Sequence, residues 1–245
     1  NLFRPANQTV AVTLALGFGG FIVATALQLG HNLERELALD LEAGQPDALL
    51  FDIQRDQVQS VRGLLPDPEA VEITPIVQAR LSEVRGVPVA ELLARPAGER
   101  PPGWVLTREY RHTWRDTLTV AEELVEGAWW PASVSSDPDV VRVSVEADFA
   151  ADLGVELGDE LTWLVAGRSI RSTISSLRVV DWERFQTNFF VVFEPGVLEQ
   201  APATFVALAR IGSDAAIVDF QRELIGLHPN VSVLDISRVR ETLEG

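Results

Sequence analysis

The chain has 245 residues and a mass of 26.9 kDa, with 36 acidic side chains against 20 basic ones and a formal charge of −16. A surface that acidic repels phosphate backbones and argues against nucleic acid as a partner. All the basic residues are arginine, and lysine, cysteine and methionine are absent. This excludes P-loop and Schiff-base lysines, disulfides, thiolate metal sites and cysteine nucleophiles; without an initiating Met, the chain reads as a piece of a longer protein or a processed one.

In chain order, the first feature is VAVTLALGFGGFIVATALQL, Val10–Leu29, a run with no charged side chain. About twenty helical residues rise roughly 30 Å, the thickness of a bilayer's hydrocarbon core. A transmembrane helix over about 9–30 is therefore expected. The run is longer than the apolar region of a secretory signal, and Leu27-Gln28-Leu29 offers no small-x-small cleavage site. Arg4 precedes the span, whereas Glu34, Glu36, Asp40 and Glu42 follow it, which places the N-terminus in the cytoplasm and the rest in a periplasm or its equivalent. Within the span, Ala11, Ala15 and Gly19 recur every four residues, as do Gly20 and Ala24, a candidate surface for packing against another membrane helix. Leu29, Leu33, Leu37 and Leu41 continue the four-residue repeat with charges between them, as an amphipathic stalk ending near Gly44 and Pro46. Residues 1–44 are thus expected to be a span and its stalk.

The external part reads as α+β. Strand 48–53, helix 56–65 and one or two strands over 71–81 at one end are matched at the other by strand 204–211, a helix capped by Ser213 and running to about 228, and strand 231–236. Two strand–helix–strand units make a split βαβ sheet, ferredoxin-like or porter-like, from residues 45–85 and 203–245. Its core is expected to include Leu49, Phe51, Ile73, Phe205, Ala207 and Leu234, with Ile217, Phe220, Leu224 and Leu227 on one helix face. Residues 86–202 read as a β-rich insertion. It opens with the proline-rich loop around ARPAGERPP, then a strand over 104–114, a short helix over 119–127 and a loop over 133–139. Strands over 140–145, 160–165, 169–177 and 189–193 follow, with a helical turn at 146–152 and a tight bend at Gly158.

Chemistry is sparse. His31, His112 and His228 have no ligand-like spacing, and no metalloprotease, nucleophile-elbow or dinucleotide motif occurs. No cofactor or metal site is expected. Asp52 reads as a turn residue, and Glu122, Glu123 and Glu126 as a solvated acidic face. The adjacent Trp129 and Trp130 would point to opposite faces if they lay on a strand, one in the core and one as a candidate partner surface.

Four segments carry a resemblance: NLFRPANQTVAVTLALGFGGF, REYRHTWRDTLTVAEELVEGAWW, VDWERFQTNFFVVFEPG and PNVSVLDIS. Together they resemble bacterial ABC-transporter permeases of the FtsX/MacB/LolC-like superfamily, within it the lysophospholipase-associated permeases. The resemblance implies an inner-membrane protein with a periplasmic domain, further transmembrane helices, a separate cytoplasmic ATPase subunit and a lipid-like substrate or periplasmic partner. It supplies no catalytic residues, so the expected role is non-enzymatic coupling. A membrane-anchored periplasmic adaptor or hydrolase is the alternative.

Overall fold

The computed structural model describes residues 14, 16–22, 24, 25, 28, 46–68, 71–130, 141–182, 184 and 186–236. The chain divides into two units, residues 1–45 and 46–245. In the first, every described residue is helical and exposed, including Leu14, Leu16, Phe18, Phe21 and Ile22. Ala24 is among them, and nothing lies within 4 Å of where a Cβ would stand at Gly19 or Gly20. Among the described residues no helix is long and apolar enough to cross a membrane. Ala11, Ala15 and the stalk leucines Leu29, Leu33, Leu37 and Leu41 lie outside the described residues.

The second unit begins with β1 (Ala48–Gln54), α1 (Val58–Leu64) and β2 (Glu72–Val84). Next come β3 (Val87–Pro88), α2 (Val89–Ala94), α3 (Gly103–Thr107), β4 (Glu109–Trp114) and β5 (Glu122–Gly127). The chain continues with β6 (Val141–Glu146), α4 (Ala147–Leu153), β7 (Glu160–Val165), β8 (Arg168–Val180) and β9 (Val191–Phe193). It closes with β10 (Thr204–Ala209), α5 (Asp214–Leu227) and β11 (Ser232–Asp235). Two helix starts have clear caps: the Glu146 carboxylate accepts from Phe149 N, and Ser213 Oγ accepts from Ala216 N.

The two ends of this unit form one antiparallel sheet in the order β11-β1-β10-β2. Counted along the chain that order is 4-1-3-2, the split βαβ arrangement. Leu50, Ile53, Phe205 and Ala207 of the sheet pack with Val61 of α1 and with Phe220 and Leu224 of α5. The expected core face is wrong in β1 and β11. Ala48 and Leu50 face inward and Leu49 is half-buried, Phe51 and Leu234 are 36% and 47% exposed, and Ile73 of β2 packs half-buried against the core as expected. ALLF is apolar at every position, so a period of two cannot choose its face. Asp52, at φ +62, then shifts the pairing between Leu50 and Ile53, which returns Ile53 to the Leu50 side. On α5, Ile217 joins Phe220 and Leu224 in the interior, but Leu227 is exposed at the last turn.

The β-rich part is a ring. β2 pairs with β4, β4 with β9, β9 with β6, β6 with β8, β8 with β7, and β7 with β2. Closure removes free edges from these six strands, and Val77, Tyr110, Val143, Leu161, Trp163 and Phe193 are buried in its core. β2 belongs to both parts. Residues 72–76 pair with β10, and residues 77–84 pair with β4 and β7.

Two expected elements differ. Residues 103–107 are helix, entered from Pro101-Pro102, and the strand begins only at Glu109. Residues 122–127 are strand, because pairing with β8 outweighs the helix preference of EELVE. The loop expected over 133–139 lies outside the described residues.

The observed face makes a simple prediction. Leu50→Ala should cost about 2–5 kcal/mol, whereas Leu234→Ala should cost about 0.5 kcal/mol or less, as read from urea unfolding by circular dichroism.

Candidate functional site

The most polar interior of the described residues lies where β4 ends and β2 begins. β4 runs out at Trp114, and Arg115 turns inward toward Glu122, the first residue of β5. Arg115 Nη2 and Arg178 Nε both donate to Glu122 Oε1, the second at 2.9 Å. Glu122 Oε2 accepts from Thr119 N at 3.2 Å. Arg178 is fully buried and spends its other nitrogens on the Ser144 carbonyl, at 2.6 Å, and the Phe189 carbonyl. One carboxylate therefore ties β5, β8 and the end of β4 together, and through Arg178 reaches β6. Glu122 is not on a solvated face: its side chain is 0% exposed, while Glu123 and Glu126 are exposed as expected. On a strand, unlike a helix, successive residues point to opposite faces, so Glu122 turns in where Glu123 turns out.

Burial pushes the Glu122 carboxyl up, but Arg178 and Arg115 override it and hold its pKa below the usual carboxylate range. Burial lowers Arg178 to about 10 against the opposing pull of Glu122, and lowers Arg115 in the same way. Beside the cluster is a recess of about 400 Å³ bounded by Glu72, Thr74, Thr113, Arg115, Thr119 and Gln186. Nε and Nη1 of Arg115 and the hydroxyls of Thr113 and Thr119 are buried without partners among the described residues. The arrangement can hold strands at fixed positions; it has no nucleophile paired with a base.

Both tryptophans serve this corner. The strand ends at Gly127, at φ +76, where a Cβ would stand 2.3 Å from the Ser175 carbonyl oxygen. Trp129 and Trp130 therefore lie beyond the strand and do not point to opposite faces. Their rings stack with centroids 4.0 Å apart. Trp129 Nε1 donates to the Asp116 carbonyl at 2.8 Å and Trp130 Nε1 to the Arg115 carbonyl at 2.9 Å. Trp130 is buried with Phe189 and Val192, and Trp129 is half-buried.

A second buried carboxylate, Glu194, accepts from Nε and Nη2 of Arg142 at 2.9 and 2.6 Å and from its backbone N at 2.8 Å. His112 lies in the ring's core with centroids 4.4 Å from Trp163 and 5.4 Å from Phe193, and among the described residues neither ring nitrogen has a partner at full hydrogen-bond geometry, the Val191 backbone being the polar group beside it. Burial drives its pKa down to about 3, offset in part by the Val191 backbone. His228 meets Ser60 Oγ at 2.8 Å on the other part of the fold, and His31 lies outside the described residues. Among the described residues no group of three or more His, Asp or Glu could hold a metal ion.

The uncharacterized ABC transporter permease YbbP of Escherichia coli is 27% identical to this chain over 241 residues, covering 97% of the chain and 28% of YbbP. The chain thus spans little more than a quarter of that relative's length. No protein-family model matches the sequence. Among solved structures, the periplasmic region of MacB from Actinobacillus actinomycetemcomitans aligns at 8% identity and a TM-score of 0.45, over 83% of this chain and 95% of that one. A permease-protein domain from Porphyromonas gingivalis aligns at 10% identity and a TM-score of 0.37, over 76% and 87%.

The two buried acid–base groups predict an acid-sensitive fold with two windows. His112 binds a proton below about 6.5 only when unfolded, so its part of the stability is lost as pH falls from about 6.5 toward 3, at about 1 kcal/mol per pH unit. The stabilisation of Glu122 is present above its ordinary pKa and is lost below it, as pH falls through the depressed folded value. Urea unfolding at pH 7, 6 and 5 should show the first loss in the native chain and a markedly flatter response in His112→Phe.

Proposed function

We propose that this chain, a relative of FtsX/MacB-like ABC-transporter permeases, is the part of a permease subunit that relays motion from the membrane to an external domain. The single observation that carries this reading is that the chain enters and leaves the external sheet at one place. Ala48 pairs with Asp235, Ile236 N donates to the Asp47 carbonyl at 2.8 Å, and Asp47 N donates to the Ala209 carbonyl at 3.1 Å. The Asp47 carboxylate accepts from Ile211 N and Gly212 N at 2.7 Å each. A displacement delivered at residue 47 is therefore shared at once by β1, β10 and β11, as an insert between membrane segments requires.

In this reading residues 1–44 are a membrane helix of about 9–30 and a stalk. Ala11, Ala15, Gly19, Gly20 and Ala24 pack against further helices of the same permease, and Leu29, Leu33, Leu37 and Leu41 form the stalk's apolar stripe. Residues 45–85 with 203–245 receive the motion, and residues 86–202 carry it outward, with Trp129 at the surface offered to a periplasmic partner and Trp130 behind it. The protein sits in the bacterial inner membrane with residues after about 30 in the periplasm. ATP is hydrolysed by a separate cytoplasmic subunit, and the transported molecule is hydrophobic or lipid-like. The chain itself catalyses nothing. An anchored adaptor is the alternative, favoured by the apolar sheet face that carries Phe51 and Leu234.

A broken stalk separates the two. In the full-length permease with its ATPase, Glu34→Pro or Glu36→Pro removes a backbone hydrogen bond and clashes with the preceding turn, at about 3 kcal/mol, while leaving the leucine stripe intact. The relay predicts normal membrane insertion and measurable ATP hydrolysis, with transport falling sharply. Transport at the normal rate would make the helix an anchor and the adaptor reading the better one.

A further inference from the structure

A groove of about 880 Å³ runs along β7 and β8, more than twice the volume of the recess beside Arg115. It falls within the roughly 300–1,000 Å³ of small-molecule sites. Its lining is mixed. Val141, Val165, Ile170 and Val197 are apolar and Arg168 and Arg171 cationic, with Arg168 on the strand face of Val165 and Ile170 and Arg171 on the opposite face beside Thr162.

Those two arginines are unspent. Arg80, Arg85, Arg115, Arg142 and Arg178 on the same ring are each paired with a carboxylate. The side chains of Arg168 and Arg171 have no ion pair or hydrogen bond among the described residues, although acids outnumber arginines 36 to 20 in the chain. The acid in the groove, Glu83, is occupied by Thr162 Oγ1 at 3.1 Å. Glu83 pairs across to Thr162, and Thr162 to Arg171, so the two charges stand two strand spacings apart, roughly 10 Å. Two positive charges and one negative leave the groove with one net positive charge. The backbone at Arg168 is fixed, since the turn before it has only two residues, Ala166 and Gly167, at φ +46 and +83, the tight hairpin geometry.

From this pairing of apolar lining and unpaired cations we infer that the groove binds an amphipathic anion, a molecule with one carboxylate or phosphate head and an apolar chain. The head is taken by the guanidinium forks of Arg168 and Arg171, which reach it from the two faces of β8 along the edge where residues 168–171 pair only with β7, and the chain lies along Val141, Ile170 and Val197. This deepens the proposed function by giving the hydrophobic substrate a charged end and a receiving site, and it rests on that reading for its biological role.

The test uses the full chain in nanodiscs of zwitterionic lipid. With no native cysteine, a Ser169→Cys substitution gives a single attachment point in the groove for an environment-sensitive fluorophore. The probes are dodecanoate, dodecyl phosphate, acetate, inorganic phosphate and dodecyl maltoside, all below micellar concentration. A saturable emission shift is expected with dodecanoate or dodecyl phosphate, the two arms telling which head is preferred, and none with acetate, phosphate or the maltoside. The Arg168→Gln/Arg171→Gln double variant should weaken binding at least tenfold. The Arg108→Gln/Arg111→Gln double variant, which removes two cations from a separate recess near Trp182, should leave it unchanged. Equal weakening by both double variants, equal binding of the maltoside, or no saturable shift would each overturn the site. If binding fails while the stalk proline still abolishes transport, the groove falls and the relay stands.

Discussion

Everything outside the first 45 residues depends on one strand. β2 is thirteen residues long and is paired first to β10 and then to β4 and β7, with one register shift between Leu81 and Glu83. Its first residues close the split βαβ sheet, and its later ones close the six-stranded ring. No linker separates the two cores at this point. A strand paired through its length bends only by giving up ladder bonds, and backbone groups left unpaired in the interior are costly. In the proposed relay, motion entering at residue 47 would therefore meet a stiff path from the sheet into the ring. The buried Glu122 cluster stiffens the far side of that path, joining β5 and β8 to the end of β4, which is itself paired with β2.

The cluster also has a sign. Two guanidiniums share one carboxylate in the interior, an arrangement that rarely adds net stability over an apolar one but strongly penalises the loss of a partner. Its value here is positional. The stacked tryptophans hold the carbonyls of Arg115 and Asp116, which fixes the start of the segment between β4 and β5.

Much of the split βαβ part was legible in the sequence because its signals are local: short apolar strands and the Ser213 cap. Helix 214–227 falls where the cap and the spacing of Ile217, Phe220 and Leu224 put it. Which face of β1 is buried was not legible, since ALLF is apolar on both sides and the deciding feature is a left-handed Asp52. The ring was less legible still. Two of its pairings are parallel, β4 with β9 and β6 with β8, and such partners lie far apart in sequence with no turn to announce them. Glu122 was missed for the same reason, because Arg178 is 56 positions away. EELVE looks like an exposed helix until β8 is laid against it. The tryptophan pair was visible, but its geometry turns on Gly127 and on a carbonyl from β8.

The most direct measurement of the account is a distance across β2. In the cysteine-free background, spin labels at Glu223→Cys on α5 and Glu123→Cys on β5 report the split βαβ part and the ring separately, both at exposed positions. Pulsed electron resonance on the full-length permease with its ATPase, nucleotide-free and ATP-bound, should give one narrow distance that does not change if, as proposed, residues 46–236 move as a single body. A second population, or a shift of several ångströms on ATP binding, would mean that β2 bends, and a rigid relay through it would be contradicted.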